Sequence, residues 1–173
     1  MIDPLRPDRA TRRVVGGRGG RRLAGIVAVL ALSLPVAVPA QSEGGLYIAG
    51  AAGFKFLQAA ERGLAQNPGG RRFFLLAVPP QTAPLRKTAT GAAAAARDRV
   101  LAANGVIFVC QRDIDEGRID ASALVPGIVA VRGFPPPGSN AIPPGERYFP
   151  GEDRSRLPAS NEALRRLRAT CSD

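Results

Sequence analysis

The chain has 173 residues, 22% of them charged, with a formal net charge of +10, two cysteines and no histidine. The lack of histidine excludes Ser-His-Asp and Cys-His catalysis and most zinc sites, because all of these use an imidazole. The two cysteines do not form a Cys-x-x-Cys motif, which argues against a thioredoxin-type redox enzyme.

The amino-terminal part of the sequence has the pattern of an export signal. Residues 6–22 are basic and glycine-rich, residues 23–34 form an apolar run, and residues 38–40 provide small side chains. This order is typical of a secretory signal peptide, whereas a membrane span needs about twenty apolar residues. We therefore predict a signal peptide over residues 1–40, a mature chain from Gln41 and a periplasmic or secreted location. An uncleaved anchor and twin-arginine export are the alternatives.

Removal of this signal halves the net charge. The presequence contains seven of the 24 basic residues and two of the 14 acidic ones, so the mature chain has 17 against 12, or +5. The remaining arginines are scattered and do not interleave with aromatic residues, whereas nucleic-acid binding needs a concentrated basic face with stacking rings. We expect no nucleic-acid partner and no stable membrane span after signal cleavage.

The first predicted strand and helix follow the signal. Residues 45–50 read as a short strand bounded by glycines. Residues 51–67 read as a helix, because Phe54, Leu57 and Leu64 recur at spacings that share one face. We expect this face to pack on the sheet.

A second strand and helix repeat this order. Residues 73–78 are continuously apolar, as is typical of a strand covered on both faces. Residues 90–104 contain an alanine run of high helix propensity. Strands that alternate with helices predict one small α/β domain over residues 41–132, with a mainly parallel sheet flanked by helices.

The most regular part of the sequence is residues 104–131. Residues 106–109 read as a buried strand with Cys110 at its carboxyl end, and residues 121–124 read as a short helical stretch. Residues 128–131 read as a further strand after a Pro-Gly turn. Ligands of open parallel sheets gather beyond the carboxyl ends of strands, which makes Cys110 a candidate functional residue.

This segment resembles the DsrE/DsrF-like family of small sulfur-relay proteins. In that family, a Gly-Val-x-Phe strand leads to a cysteine, then to Ile-Asp, a leucine, Pro-Gly and a β-branched strand. The matching residues are Gly105, Val106, Phe108, Cys110, Ile119, Asp120, Leu124, Pro126 and Gly127. The resemblance implies a DsrE-like fold and a role for Cys110 in accepting sulfane sulfur as a persulfide and passing it on. Its partners would be a sulfur donor and an acceptor protein, and a homo-oligomer is an open alternative.

Three cations are candidates for activating that thiol. Arg86 and Lys87 follow the second strand on the same rim of the predicted sheet, and Arg112 is the nearest cation to Cys110 by sequence. Nearby positive charge favours a thiolate, so all three are candidate binding residues. For Arg86 and Lys87, the alternative is a solvated loop before a helix.

The acidic residues that follow Cys110 do not match a calcium loop. Counted from Asp113, the positions that need glycine and glutamate are occupied by Arg118 and Leu124. We predict a solvated acidic turn, and we expect neither a metal nor a cofactor.

The carboxyl-terminal part, residues 133–173, has a different composition. Residues 133–150 are rich in proline and predict an extended arm that cannot form a regular core element. A short helix is expected after Ser160, a good N-cap residue, and its end carries Cys171.

Three interpretations of the cysteines remain open. Cys110 is a persulfide carrier, as the family resemblance implies, or it forms a disulfide with Cys171, as two cysteines in an exported protein often do. The disulfide would close a loop of about sixty residues and contribute about 4 kcal/mol. In the third interpretation the chain is a periplasmic binding or structural module without catalytic activity. The sequence does not decide whether the protein is an enzyme.

Overall fold

The structure is a computed structural model that describes residues 43–50, 53–139 and 142–172. The predicted signal peptide, residues 1–40, lies outside the described residues. All described residues belong to one unit that spans residues 39–173. None of the described helices is long and apolar enough to cross a membrane.

In the described part of the chain, four strands form a single sheet with the order β1-β2-β3-β4, and every neighbouring pair is parallel. The strands are β1 (Leu46–Ala49), β2 (Phe73–Ala77), β3 (Gly105–Cys110) and β4 (Val129–Val131), and the helices are α1 (Phe56–Gln66), α2 (Ala92–Ala102), α3 (Gln111–Asp115) and α4 (Asn161–Cys171). The α/β class, the parallel sheet and its flanking helices are therefore as predicted.

The sheet is covered on both faces. Phe73 and Leu75 point to the face that packs against α1 and α2, whereas Phe74 points to the face that packs against α4. Every residue of β2 and β3 is buried, which explains why these strands are continuously apolar in the sequence. On the second face, Leu164 and Leu167 of α4 provide the apolar cover.

Helix α1 begins later than the sequence predicts. Gly53 has a φ of +77°, which is incompatible with a helix, and the helix begins after Lys55. The side chain of Gln58 accepts a hydrogen bond from the Lys55 N–H at 3.0 Å, which satisfies a donor at the helix start. The prediction that Phe54 belongs to the buried helix face was wrong, because Phe54 precedes the helix and is 41% exposed.

The acidic segment after Cys110 is also more ordered than predicted. Residues 111–115 form the short helix α3, and Asp113 is fully buried. The Nη1 atom of Arg118 lies 3.1 Å from Oδ1 of Asp113, and Nε of Arg112 lies 3.8 Å from the same oxygen. These two guanidinium groups compensate the buried charge, so the prediction of a wholly solvated turn was wrong for Asp113. Asp115, Glu116 and Asp120 are exposed.

The strand order has a consequence for ligand binding. Because the strands follow one another across the sheet in chain order, the winding never reverses. Open α/β sheets commonly bind ligands in the crevice where the strand order reverses. The described sheet has no such crevice, so a site must be built from other elements.

Candidate functional site

The two cysteines form a disulfide that links the sheet to α4. Cys110 is the last residue of β3 and Cys171 is the last residue of α4, and their Cα atoms are 5.1 Å apart. Cys110 is 0% exposed and Cys171 is 2% exposed. The predicted pairing of Cys110 with Cys171 is confirmed, and neither residue is a free thiol in this structure.

One of the three candidate cations lies at the disulfide. The Nη1 atom of Arg112 donates a hydrogen bond to the carbonyl oxygen of Ser172, the residue after Cys171. The guanidinium group of Arg112 is thus next to the end of α4 that carries the bonded sulfur.

The other two candidate cations contact a different segment. The Nζ atom of Lys87 donates to the carbonyl oxygen of Ser122 at 2.8 Å, and the backbone of Arg86 forms an antiparallel bridge with Leu124. These contacts join the loop after β2 to the stretch that precedes β4. The structure therefore brings together Arg112 and Cys171, and it brings Arg86 and Lys87 together with residues 122–124.

Two neighbouring cavities lie beyond the carboxyl ends of β3 and β4. The larger, of about 540 Å³, is lined by Cys171, Ser172, Arg112, Phe134 and Phe149 among others. The smaller, of about 330 Å³, is lined by Glu152 and Asp153 among others. Gln111, Arg132 and Pro150 line both. These cavities combine aromatic rings with charges of both signs beside the disulfide.

A buried ion pair connects α4 to Glu152, which lines the smaller cavity. The side chain of Arg168 on α4 is 2% exposed, and its Nη2 atom lies 2.6 Å from Oε2 of Glu152. Arg168 also donates to the carbonyl oxygens of Arg132 at 3.1 Å and Arg147 at 3.2 Å. Its guanidinium carbon lies 4.8 Å from the ring centroid of Phe149. One side chain thereby fixes several points of the segment between β4 and α4.

The role of Glu152 and the burial of Arg168 were not predicted from the sequence. A signal for Arg168 is present, because Leu164, Leu167, Arg168 and Cys171 have the spacing of one apolar helix face, and all four are buried. A charged residue at such a position indicates a buried partner. For Glu152 there is no comparable local signal, since it lies in a segment without helix or strand.

Asp153 also lines the smaller cavity, and the pKa of its side chain is lowered. The hydroxyl of Ser155 donates to its Oδ1 atom at 2.5 Å, and the Ser155 N–H donates at 3.0 Å. The hydrogen bond from the Ser155 side chain is the main cause that lowers the pKa of Asp153 from 3.8, and the charges of Arg156 and Arg72 contribute. The same Asp-x-Ser arrangement recurs at Asp120, where Ser122 lowers the pKa of the carboxyl group.

We expect Ser155→Ala to raise the pKa of Asp153 towards 3.8, because it removes the largest stabilising contact of the carboxylate. A carboxyl group with a lowered folded-state pKa contributes stability above its unfolded pKa and loses it as the pH falls through the folded-state value. The variant should therefore be less stable than the original chain at neutral pH, and this difference should vanish at pH values below the folded-state pKa. Side-chain carboxyl NMR titration measures the shift. In the matched variant Ser122→Ala, the pKa of Asp120 should rise and that of Asp153 should stay unchanged.

Within the described residues, no group of three or more Cys, Asp or Glu side chains is arranged to hold a metal ion. The site therefore consists of a closed disulfide, the two cavities and the Arg168–Glu152 pair. No protein-family model, curated protein or solved structure matches the chain.

Proposed function

We propose that this chain is an exported, non-catalytic accessory module with a DsrE-like fold, in which the Cys110–Cys171 disulfide serves stability and the adjoining cavities serve binding. The observation that carries this proposal is the complete burial of Cys110 in a disulfide. A sulfur carrier needs an accessible thiolate, and a buried bonded sulfur provides none.

The compartment supports the same proposal. Disulfides persist in oxidising environments such as the periplasm and the extracellular space, and residues 1–40 have the pattern of an export signal. A disulfide between β3 and α4 also suits a small domain whose terminal helix has 11 residues, because so short a helix is marginal without tertiary support.

The cavities support a binding role without chemistry. Their walls contain Arg132, Glu152 and Asp153, together with the rings of Phe134 and Phe149. A ligand with both positive and negative groups and an apolar part would find partners for each. Small zwitterionic molecules with an apolar part have this chemistry.

A second candidate function is persulfide transfer after reduction of the disulfide, and the position of Arg112 favours it. Reduction by a dithiol supplies two electrons and two protons and yields two thiols. A Cys110 thiolate would then attack the outer sulfur of a donor persulfide, so that the donor leaves as a thiolate and Cys110 carries the persulfide. Arg112 contacts the residue after Cys171, and a guanidinium group near the thiols would stabilise the thiolate form.

Thiol labelling distinguishes the accessory module from the persulfide carrier. The mature protein is isolated under non-reducing conditions with a rapid acid quench. We expect a maleimide reagent to label neither cysteine, with or without denaturant, because both are in the disulfide. After reduction and exposure to glutathione persulfide, we expect no mass increase by one sulfur atom at Cys110, since its side chain is enclosed by the core.

The variant Cys171→Ser is the matched control for this experiment. It leaves Cys110 as a thiol without any reducing agent, so a failure to load sulfur reflects burial and not incomplete reduction. Stoichiometric sulfur loading at Cys110 in the reduced chain, lost in Cys110→Ser, would replace the accessory module with the sulfur carrier as the function.

A further inference from the structure

Strand β1 is an open edge of the sheet. Within the described residues it pairs only with β2, and the N–H groups of Phe74 and Val78 donate to the carbonyl oxygens of Gly45 and Ala49. Because backbone groups alternate in direction along a strand, the N–H and C=O groups of Leu46 and Ile48 point away from β2. Neither residue has another backbone partner in the described part of the chain.

A groove of about 310 Å³ runs along this edge. Its floor is formed by Leu46, Tyr47 and Ile48, and Phe54 stands at its side with 41% exposure. Phe54 is available here because it precedes α1, which begins only after the extended N-cap residue Lys55. Within the described part of the chain, the groove thus combines backbone groups that lack a strand partner with an exposed apolar ring. In strand addition, main-chain hydrogen bonds give affinity and side-chain contacts give specificity.

Two arginines flank the groove on opposite faces of the sheet. Arg62 belongs to α1 and Arg166 belongs to α4, and these helices cover different faces. None of the described residues that line the groove is acidic. Within the described residues, neither guanidinium group has a carboxylate partner, and Arg62 lies over the ring of Phe54 at 5.9 Å. Among the residues that the structure describes, each side of the open edge therefore carries an arginine without an ion-pair partner.

We propose that this β1 edge groove binds an extended acidic segment of another protein, which adds to the sheet as a fifth strand beside β1. Successive side chains of a strand point to opposite faces. To reach both Arg62 and Arg166, the segment needs acidic residues at an odd spacing, such as two neighbouring glutamates. Acidic residues at an even spacing lie on one face and reach only one arginine.

A second copy of this chain is a poor occupant of the groove. Pairing of two β1 edges across a two-fold axis would bring Arg62 and Arg166 of both copies together without acidic residues between them. Like charges at a sheet edge oppose such pairing. The groove lies at the opposite edge of the sheet from the cavities beside β4, so this proposal does not depend on the proposed function.

The test uses fluorescent peptides with blocked termini and the mature chain. The first peptide is Thr-Thr-Val-Glu-Glu-Thr-Val-Thr, and the second, Thr-Thr-Glu-Val-Glu-Thr-Val-Thr, has the same composition with the glutamates two positions apart. We expect fluorescence anisotropy to give tighter binding for the first peptide, by about threefold, the effect of one exposed ion pair. A third peptide with lysine in place of glutamate should not bind.

Protein variants locate the binding on β1. Arg62→Ala and Arg166→Ala should each weaken binding of the first peptide by about threefold. The control is Arg165→Ala, which removes the same charge from the helix that carries Arg166 and should leave binding unchanged. Ile48→Pro should abolish binding, because it removes an outward N–H while the β2 pairing persists. Circular dichroism and the melting temperature confirm that each variant is folded.

Three results would overturn the proposal. Equal affinity for the two glutamate peptides would show that the segment need not contact both Arg62 and Arg166. Unchanged binding by Ile48→Pro would show that the peptide does not add to the sheet as a strand. The third result concerns the protein without peptide. If the amide NMR chemical shifts of Leu46 and Ile48 change with protein concentration and the mass in solution is that of a dimer, the occupant of the edge is a second copy of the chain.

Discussion

Replacing Cys171 with serine is expected to lower the free energy of unfolding by about 4 kcal/mol, because the disulfide closes a loop with a sequence separation of 61. In the chain-entropy account, the cross-link removes conformational freedom from the unfolded chain. Cys110→Ser opens the same loop and should cost a similar amount. Urea denaturation of the mature chain, with and without a reducing agent, measures both effects.

The double variant provides the decisive comparison for this prediction. When both cysteines are serine, the loss should be close to that of either single variant, because the loop is opened only once. Addition of a reducing agent should destabilise the original chain and leave all three variants unchanged. Single variants that differ strongly from each other, or that match the original chain, would show that the loop closure does not stabilise this protein.

Much of the fold was predictable because its elements are encoded locally. The continuous apolar residues of β2 and β3 follow from burial on both faces. Helix α4 begins where Ser160 caps it, with the Ala163 N–H donating to Oγ at 3.3 Å. Alternation of strands and helices then leaves few topologies other than a parallel sheet.

The candidate site was predictable only in part, because its residues meet through tertiary contacts. The pairing of Cys110 with Cys171 could be predicted from the count of two cysteines in a chain whose sequence has the pattern of an export signal. Glu152 could not, because nothing near it in sequence indicates that it meets Arg168, 16 residues away. For Asp113, the compensating Arg118 is close in sequence, yet only the backbone path of α3 turns the carboxylate inward.

The groove beside β1 depends on a backbone conformation that the local sequence does not specify. The helical spacing of Phe54 is real, but Gly53 before it is left-handed and Lys55 after it is extended, so the helix begins at Phe56 and Phe54 lies outside it. A glycine beside an apolar residue has no fixed conformational meaning, because glycine populates positive and negative φ almost equally. The exposed ring and the groove beside it therefore became visible only in three dimensions.

Arg168→Leu is expected to destabilise the protein by about 3 kcal/mol, because it leaves the carboxylate of Glu152 without its buried partner. Glu152→Leu should cost a similar amount, since it leaves a guanidinium group that is 2% exposed without a counter-charge. In the double variant neither charge of this pair remains, so the total loss should be smaller than the sum by about 2 kcal/mol. Equilibrium unfolding of all four proteins gives this coupling free energy.

Limited trypsin digestion gives an independent measure of the same pair. The carbonyl oxygen of Arg147 accepts a hydrogen bond from Arg168, so the trypsin-sensitive bond after Arg147 is held against α4. In Arg168→Leu we expect cleavage there to accelerate by roughly a hundredfold, if cleavage follows the population of the opened segment.

Two further variants make the interpretation of these results specific. Arg168→Lys should not restore stability, because an ammonium group cannot bridge a carboxylate and two carbonyl oxygens as the planar guanidinium does. Arg165→Leu removes an exposed arginine that is 2.9 Å from Glu162 on the same helix, and it should cost less than about 1 kcal/mol. If Arg168→Leu and Arg165→Leu had equal effects, or if the double variant lost the full sum, the buried pair would not be what fastens the segment between β4 and α4 to the domain.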